Sequence, residues 1–269
     1  MRLALGALLM AFSLAALAAP SAELWERWDK STANKVAIDH ADWNDFLGKY
    51  VKPGGDGLNR VAYSKVTADD RAKLAAYLKR LQEVKPTKFA RAEQRGYWIN
   101  LYNATTVNTI LEHYPVDSIL KINISPGLFA KGPWKKKLLT VEGEAVSLDD
   151  IEHRILRPLW KDPRTHYSVN CASIGCPNLA TQAFTAGNME AMLDAGARAY
   201  VNSPRGAKLE GGKLVVSSIY VWFQADFGGD ATGVIAHLKK YAEPALAKKL
   251  AGISRIGGDA YDWTLNDAK

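Results

Sequence analysis

Apolar positions recur at helical spacing in several segments of the chain and in short paired runs in others. Residues 67–81 begin with Thr-x-x-Asp, a helix-capping pattern, and then repeat apolar side chains on one face. Residues 89–113 form the longest such segment, which ends before Pro115 because the residue preceding proline disfavours helical geometry. Short apolar runs flanking Glu142-Gly143-Glu144 and Gly211-Gly212 instead predict two β-hairpins.

The remaining pattern completes an α+β prediction. Further helices are predicted at residues 42–50, 147–159, 189–201, 221–227 and 233–242, and strands at 166–170 and 255–265. Because helices come first and β segments are interleaved later, the order favours an α+β fold over regular βαβ repeats. Without an internal repeat or a convincing linker, we expect one domain over residues 19–269, with a central buried helix, a small antiparallel sheet and surrounding helices.

Composition adds that the chain is globular and mildly basic. Hydrophobic residues make up 48% and charged residues 23% of the 269 positions, values that exclude disordered, collagenous and coiled-coil classes. Lys and Arg number 35 against 28 Asp and Glu, so the net charge is +7, and no concentrated basic tract is present. Phosphate-backbone binding usually requires such a tract, and we therefore expect no nucleic-acid partner.

The first residues differ from the rest of the chain. Arg2 precedes an apolar run, and Ala16 and Ala18 fit the small-x-small rule for signal-peptide cleavage. The run is too short to span a membrane, and no cysteine near the cleavage point offers a lipidation position. We expect residues 1–18 to be a cleaved signal peptide and the mature protein to be periplasmic or secreted, with no membrane span.

The predicted helix at residues 89–113 is apolar on nearly every side, which is typical of a buried central helix. Glu93 and Asn100 nevertheless share a face of it, and Asn103 lies about 60° away. Buried polar groups need partners. Either the amides bond to neighbouring loop backbone and Glu93 meets an arginine, or the three residues line a cleft.

Residues 166–176 contain both cysteines of the chain and one histidine. Four interpretations compete: a Cys171–Cys176 disulfide, a Cys171 nucleophile activated by His166, a zinc site, and redox exchange. The spacing fits no common zinc pattern and is not Cys-x-x-Cys, and a disulfide closing so short a loop stabilises little. We therefore favour the nucleophile, expect neither metal nor cofactor, and leave the disulfide open.

His153 is an alternative base. On its predicted helix it lies about 130° from the apolar face, so it faces either solvent or the same cleft as Cys171. If residues 166–170 form a regular strand, His166 and Cys171 point to opposite faces, and only a turn near Asn170 brings them together. The sequence thus prefers His166 without excluding His153.

Four ordered motifs extend from residue 93 to residue 266. They are Glu93-x4-Trp98-Ile99-Asn100-Leu101-Tyr102-Asn103-Ala104, Ser147-Leu148-Asp149-Asp150-Ile151-Glu152-His153-x-Ile155-Leu156-Arg157, His166-x4-Cys171-x4-Cys176-Pro177 and Tyr261-Asp262-Trp263-Thr264-Leu265-Asn266. Together they resemble the domain-of-unknown-function 547 family, whose activity is not established. The resemblance implies that the family's motif positions are occupied by Glu93, Asn100, Asn103, His153, His166, Cys171 and Cys176.

These residues support the hypothesis of an exported cysteine hydrolase or acyl transferase acting on an amide or peptide bond. In it, the histidine takes the proton of Cys171 and Glu93 orients the imidazole. Asn100, Asn103 or backbone N–H groups bind the substrate or its oxyanion. The constellation is analogous to that of papain-like and transglutaminase-like cysteine hydrolases, an analogy of site chemistry only.

A second hypothesis is a non-catalytic binding module of the cell envelope. Its 8 Trp and 11 Tyr residues supply stacking surfaces for a glycan or peptide, and a Cys171–Cys176 disulfide shapes the loop. In both hypotheses the partner is a peptide, glycan or protein of the envelope.

Overall fold

The computed structural model of the protein describes residues 20–128 and 130–269. The signal peptide predicted at residues 1–18 lies outside the described residues and stays a prediction. The described residues contain eight α-helices: α1 (Ala41–Tyr50), α2 (Ala68–Glu83), α3 (Arg91–His113), α4 (Arg157–Trp160), α5 (Met189–Val201), α6 (Ser218–Trp222), α7 (Ala231–Tyr241) and α8 (Pro244–Leu250). None of the helices in the described ranges is long and apolar enough to cross a membrane.

Seven short strands in the same ranges form three small sheets. They are β1 (Val51–Pro53), β2 (Asn59–Val61), β3 (Leu139–Val141), β4 (Glu144–Val146), β5 (Ala207–Glu210), β6 (Lys213–Ser217) and β7 (Ile256–Ala260). Each of the first three pairs along the chain is antiparallel, whereas β7 joins β6 in parallel. The α+β class of the single domain is confirmed, but its β structure is three separate sheets, one of them mixed, rather than one antiparallel sheet.

Helix α3 is the central element, as its apolar pattern predicts. Every residue from Gln94 to Val107 is buried, and the helix ends at His113, just before the Tyr114-Pro115 pair. It packs against α2 on one side and, on another, against a π-helix formed by Asp150–Leu156. A helix enclosed in this way can hold polar side chains only where they meet fixed partners.

Two segments around the cysteines differ from the sequence prediction. The strand expected at residues 166–170 is wrong, because Pro163–Tyr167 forms a 3-10 helix. The Asp162 side chain accepts the N–H of Arg164 at 2.9 Å, which caps this helix, and proline suits its first position. The helix expected at residues 147–159 is present, but its central part is the π-helix and α4 continues it.

Two hydrophobic clusters share the fold. The larger surrounds α1 to α3 and the π-helix, and the smaller surrounds α5, α7 and the mixed sheet. The cysteine segment runs between them, since Tyr167 packs in the smaller cluster and Val169 and Ala172 pack in the larger one. This position places the cysteines at a junction of the core instead of inside either half.

Candidate functional site

A cleft of about 490 Å³ opens where the two clusters meet. Four of the residues singled out from the sequence line it, namely Cys171, Cys176, His153 and His166. Its wall is largely aromatic and apolar, with both acidic and basic side chains at defined points. Ligand sites of proteins commonly combine such a wall with a few convergent polar groups.

The cysteine segment turns sharply at Asn170. The Asn170 Oδ1 atom accepts the N–H of Ala172 at 2.9 Å, and Ala172 adopts a left-handed φ of 58°. Backbone strain of this kind concentrates at functional sites. The sequence required a turn here only for a regular strand; the chain instead leaves a 3-10 helix and turns at Asn170, and His166 and Cys171 both line the cleft.

The buried Tyr200 and the half-buried Arg205 hold the segment that follows Cys171. The Tyr200 hydroxyl donates to the Gly175 carbonyl at 2.6 Å. Arg205 donates to the carbonyls of Ile174 at 3.0 Å and Cys176 at 2.5 Å. Because these carbonyls are fixed, the loop presents its sulfur atoms from a rigid frame.

The two asparagines of α3 also bond to loop backbone. Asn100 donates to the Phe184 carbonyl at 2.7 Å and accepts the Phe184 N–H at 3.0 Å. Asn103 donates to the Ser168 carbonyl at 2.8 Å and accepts the Asn170 N–H at 2.9 Å. Both amides are therefore engaged in positioning loops, and the geometry does not offer them to an oxyanion, which corrects that expectation.

The sulfur of Cys171 has three polar side chains around it. Its Sγ lies 2.9 Å from Cys176 Sγ, 3.0 Å from the Tyr261 hydroxyl and 3.3 Å from Ser173 Oγ. The N–H of Cys171 donates to Cys176 Sγ at 3.0 Å. Both cysteines are free thiols in this structure; Cys171 is half-buried and Cys176 is buried.

This arrangement distinguishes the two thiols electrostatically. Burial opposes ionisation of Cys171, but donors from Cys176, Ser173 and Tyr261 outweigh it and lower the pKa of Cys171 below its ordinary value. Burial and the neighbouring Cys171 sulfur raise the pKa of Cys176 well above its ordinary value. The first proton therefore leaves Cys171, and the Cys176 thiol then donates to the thiolate.

His166 is oriented by a carboxylate that the sequence did not single out. Its Nε2 lies 2.7 Å from Asp226 Oδ2, and its ring stacks on Phe223 with centroids 4.5 Å apart. A carboxylate only accepts, so Nε2 carries the proton and Nδ1, 3.8 Å from Glu152 Oε1, is free to accept one. Within the described ranges, no imidazole lies within hydrogen-bond distance of Cys171 Sγ.

Asp226 occupies the orienting position expected for Glu93. Burial opposes ionisation of Asp226, but hydrogen bonds from His166 and Arg157 hold its pKa well below the usual range. The Arg157 Nε atom donates to Asp226 Oδ2 at 2.6 Å. Glu93 instead accepts the N–H of Ile38 at 3.4 Å, and its carboxylate contacts neither cleft histidine in the described structure.

His153 lies in the cleft but is already engaged. Its Nδ1 is 3.1 Å from Arg157 Nη1, and it must accept there because a guanidinium only donates. Burial lowers the pKa of His153 to about 4, with Glu152 opposing and Arg157 reinforcing the shift. The imidazole is therefore neutral near pH 7 and supports Arg157, which leaves His166 as the better-placed base.

Glu152 is the other acidic group that the sequence analysis did not select. Its Oε1 lies 3.8 Å from His166 Nδ1 and 3.9 Å from His153 Nδ1. Burial and the Glu152 charge raise the pKa of Asp149, the next carboxyl of the cleft, to about 6. In the described part of the chain, no group of three or more His, Cys, Asp or Glu side chains has an arrangement that could hold a metal ion.

Four residues of the site were not selected from the sequence; three of them had a signal there and one had none. Glu152, Ser173 and Tyr261 stand inside the motif segments or the cysteine segment, so their neighbourhood was visible. Asp226 lies 60 positions after its partner His166, in a 3-10 helix of four residues that carries no motif. Only the tertiary fold brings that carboxylate to the imidazole.

The start of the described chain also reaches the cleft. The Pro20 carbonyl accepts Arg157 Nη1 at 2.7 Å, and Pro20 itself lines the cleft. The N–H of Glu23 donates to the His153 carbonyl at 3.0 Å. A segment far from the cysteines in sequence therefore contributes to the wall of the cleft.

The fold and the site define an α+β protein with a two-cysteine cleft, and comparison with family sequences names the domain. Residues 86–201, 116 of the 269 residues, match the family described as "Protein of unknown function, DUF547", which confirms the resemblance to the domain-of-unknown-function 547 family over that range. The matched range includes α3, both cysteines and both cleft histidines, whereas Asp226 and Tyr261 lie after it. Searches of curated proteins and of solved structures found no match.

Proposed function

We propose that the protein is a cysteine-dependent hydrolase or acyl transferase that acts on an amide or peptide bond, with Cys171 as nucleophile. The supporting observation is the half-buried Cys171 sulfur in the cleft, where Cys176, Ser173 and Tyr261 favour its ionised form. The thiolate is the nucleophilic form of cysteine. A sulfur that served only packing would not need three polar partners at the wall of a cleft.

The reaction follows from the groups in the cleft. The Cys171 proton passes to His166 Nδ1 through a water molecule or on substrate-induced closure, since the two groups are not in direct contact. The thiolate attacks the carbonyl carbon, and the hydroxyls of Ser173 and Tyr261 are the nearest side-chain donors for the oxyanion. Asp226 stabilises the imidazolium, which protonates the departing amine and leaves a thioester on Cys171.

The second half of the reaction regenerates the thiol. Water attacks the thioester carbonyl while His166 Nδ1 takes its proton, and the acid departs as Cys171 recovers a proton from the imidazolium. An amine in place of water gives acyl transfer. Hydrolysis and transfer therefore differ only in which nucleophile enters the cleft.

The setting proposed for this reaction is the cell envelope. The signal peptide predicted at residues 1–18 supports a periplasmic or secreted protein, which would meet peptides, glycans and proteins of the envelope. The wall of the cleft contains half-buried tryptophans, and the exposed Lys131 and Lys135 also line it. These features suit a substrate with an apolar part next to the scissile bond and an anionic group beyond it. Cell fractionation with an antibody against the native protein tests the location.

Acylation by an activated ester tests the nucleophile without knowledge of the substrate. With p-nitrophenyl acetate we expect an acetyl group on Cys171, detected by peptide mass spectrometry, and none in Cys171→Ala. In His166→Asn the acetylated form should persist longer, because deacylation has lost its base. His113→Asn, at the exposed end of α3, is the matched control and should behave as the unaltered protein.

The same experiment can overturn the proposal. Acetylation at another residue, or equal ester turnover by Cys171→Ala, would exclude Cys171 as the nucleophile. An acetyl group that leaves equally fast from His166→Asn and His113→Asn would exclude His166 as the base.

A second function, non-catalytic binding of an envelope peptide or glycan, is supported by the aromatic wall alone. Trp222 and Trp263 stack with centroids 5.8 Å apart, and Trp134 meets Trp263 edge-on at the same distance. Such half-buried rings bind apolar side chains and sugar faces. Calorimetry of Cys171→Ala with envelope peptides and glycan fragments distinguishes the two: binding without any ester acylation of the unaltered protein favours the module.

A further inference from the structure

We infer that Cys171 and Cys176 also form a thiol–disulfide exchange pair, in which Cys171 attacks a disulfide and Cys176 resolves the product. The exchange itself needs no acyl substrate. Its consequence for the site, loss of the Cys171 nucleophile in the oxidised form, rests on the proposed function.

The first support is the contact between the two sulfur atoms. They lie 2.9 Å apart, and the Cys171 N–H donates to Cys176 Sγ at 3.0 Å. The loop between them is fixed by Arg205 and Tyr200 through the carbonyls of residues 174–176. The frame therefore holds the pair together before any bond forms, and bond formation requires only a small approach of the two side chains.

The second support is the difference in access. Cys176 is 4% exposed, whereas Cys171 is half-buried at the wall of the cleft. A small disulfide that enters the cleft therefore meets Cys171 first. The ionisation of the pair follows the same order, since hydrogen bonds lower the pKa of Cys171 while burial raises the pKa of Cys176.

The reaction balances with a low-molecular-weight disulfide as oxidant. The Cys171 thiolate attacks one sulfur of that disulfide, whose S–S bond breaks and releases one small thiolate, leaving a mixed disulfide on Cys171. Cys176 then loses its proton to the released thiolate and attacks the Cys171 sulfur, which expels the second small thiolate. Two protein thiols are oxidised, and one small disulfide is reduced to two thiols.

The same contacts predict that the disulfide is easily reduced. The Tyr261 and Ser173 hydroxyls lie within hydrogen-bond distance of the Cys171 sulfur and favour its ionised form, so they stabilise the reduced pair. A stabilised reduced form makes a disulfide more oxidising than a structural one. Closing so short a loop also removes little chain entropy, so the bond adds little to fold stability. Both points favour a reversible pair over a permanent cross-link.

Reaction of the reduced full-length protein with glutathione disulfide, followed by acid quenching, alkylation and mass spectrometry, tests the inference. The unaltered protein should end as the Cys171–Cys176 disulfide. Cys176→Ser should accumulate glutathione on Cys171, and Cys171→Ser should react at least tenfold more slowly because its remaining thiol is buried. Cys176→Ala provides a second resolving-thiol variant if the serine variant unfolds more readily.

Several outcomes would overturn the inference. These are a mixed disulfide that persists in the unaltered protein, equal rates for Cys171→Ser and Cys176→Ser, or a disulfide that millimolar reduced glutathione fails to open. Acylation by p-nitrophenyl acetate is measured on the same samples: loss on oxidation and return on reduction supports the regulatory consequence. Absence of acylation in the reduced protein rejects the proposed function and leaves the exchange result standing.

Discussion

At the scale of single residues, the Cys176 thiol and the hydroxyls of Ser173 and Tyr261 lower the pKa of Cys171. The Tyr261 hydroxyl lies 3.0 Å from Cys171 Sγ and 2.9 Å from Ser173 Oγ, so its single proton can be donated to the sulfur while its oxygen stays close to Ser173. Burial and the nearby cysteines raise the pKa of Tyr261 well above its ordinary value, which keeps it a donor at neutral pH. Its removal should therefore affect sulfur chemistry more than packing.

Tyr261→Phe should raise the pKa of Cys171. A hydrogen bond to a charged group contributes about 1.5–3 kcal/mol, which corresponds to roughly one to two pKa units. The rate of iodoacetamide alkylation against pH measures this shift. Tyr241→Phe is the control. Tyr241 ends α7, and its hydroxyl makes only a long hydrogen bond of 3.5 Å to Asp194. Overlapping profiles for the two variants would show that Tyr261 does not stabilise the thiolate.

Asp226 makes a second residue-scale prediction, because Arg157 beside it is buried with only 4% of its side chain exposed. Asp226→Asn leaves that charge without its partner and should lower the free energy of unfolding by about 2–3 kcal/mol at pH 7, less than for a fully buried pair because Asp226 is partly exposed. The pKa of Asp226 is depressed in the folded state, so its contribution is present above the unfolded-state pKa and disappears as the pH falls below it.

Urea unfolding of the unaltered protein and of Asp226→Asn measures this difference in the free energy of unfolding. The difference between them should shrink below about pH 4, where an unfolded aspartate takes up its proton. A difference that persists undiminished well below pH 4 would contradict the assignment.

At the scale of elements, the sequence predicted the helices and hairpins whose ends carry local signals. Helix α3 ends where Pro115 requires it, and the two hairpins turn at glycines with positive φ, Gly143 and Gly211-Gly212. Residues 166–170 have β-compatible side chains, but Asp162-Pro163 just before them starts a helical turn, and this local signal prevails over residues 163–167. Helix α8 was not predicted at all, since its seven residues are too few for a clear apolar period.

The candidate site could be predicted only in part, for a related reason. The cysteines, His153 and His166 belong to recognisable motifs, and the structure places all of them in one cleft. The roles expected for Glu93, Asn100 and Asn103 depended on angular position along a helix. Helical angle shows which residues share a face but not which loop covers that face. The amides of Asn100 and Asn103 bond to loop backbone, and the carboxylate that contacts His166 is Asp226, from a 3-10 helix distant in sequence.

The loop segment from Lys131 to Lys135 gives an element-scale prediction. Both lysines line the cleft, are exposed and form no ion pair in the described structure, so they should attract an anion toward Cys171. Iodoacetate and iodoacetamide report this attraction, because they differ in charge and react with the same sulfur. Replacing both lysines by alanine should lower the ratio of the two alkylation rates about threefold at low salt, and high salt should remove the difference.

Lys248 and Lys249, on α8, are the matched control pair. Their replacement by alanine changes the net charge equally at a site that does not line the cleft. An equal fall in the ratio for both pairs would mean that overall charge, and not the loop, attracts the anion.

At the scale of the whole molecule, the site is assembled from both hydrophobic clusters. The range matched by the family supplies the cysteines and histidines, while Asp226 and Tyr261 come from the segment after it. The cysteine loop is held by α3 from one side and by Tyr200 and Arg205 from the other. The site is therefore a property of the full fold, and residues 86–201 alone contain only part of its proposed machinery.

Because tryptophans form part of the cleft wall, the intrinsic fluorescence of the protein reports what enters the cleft. Three of its 8 tryptophans, Trp134, Trp222 and Trp263, line the cleft and are partly exposed, whereas Trp28, Trp43 and Trp98 are buried in the core. A molecule that enters the cleft changes the surroundings of the first three indoles and leaves the other three untouched. Libraries of unlabelled compounds can thus be screened through intrinsic fluorescence, with replacement of Trp25 and Trp160, which are partly exposed but do not line the cleft, reducing the background emission.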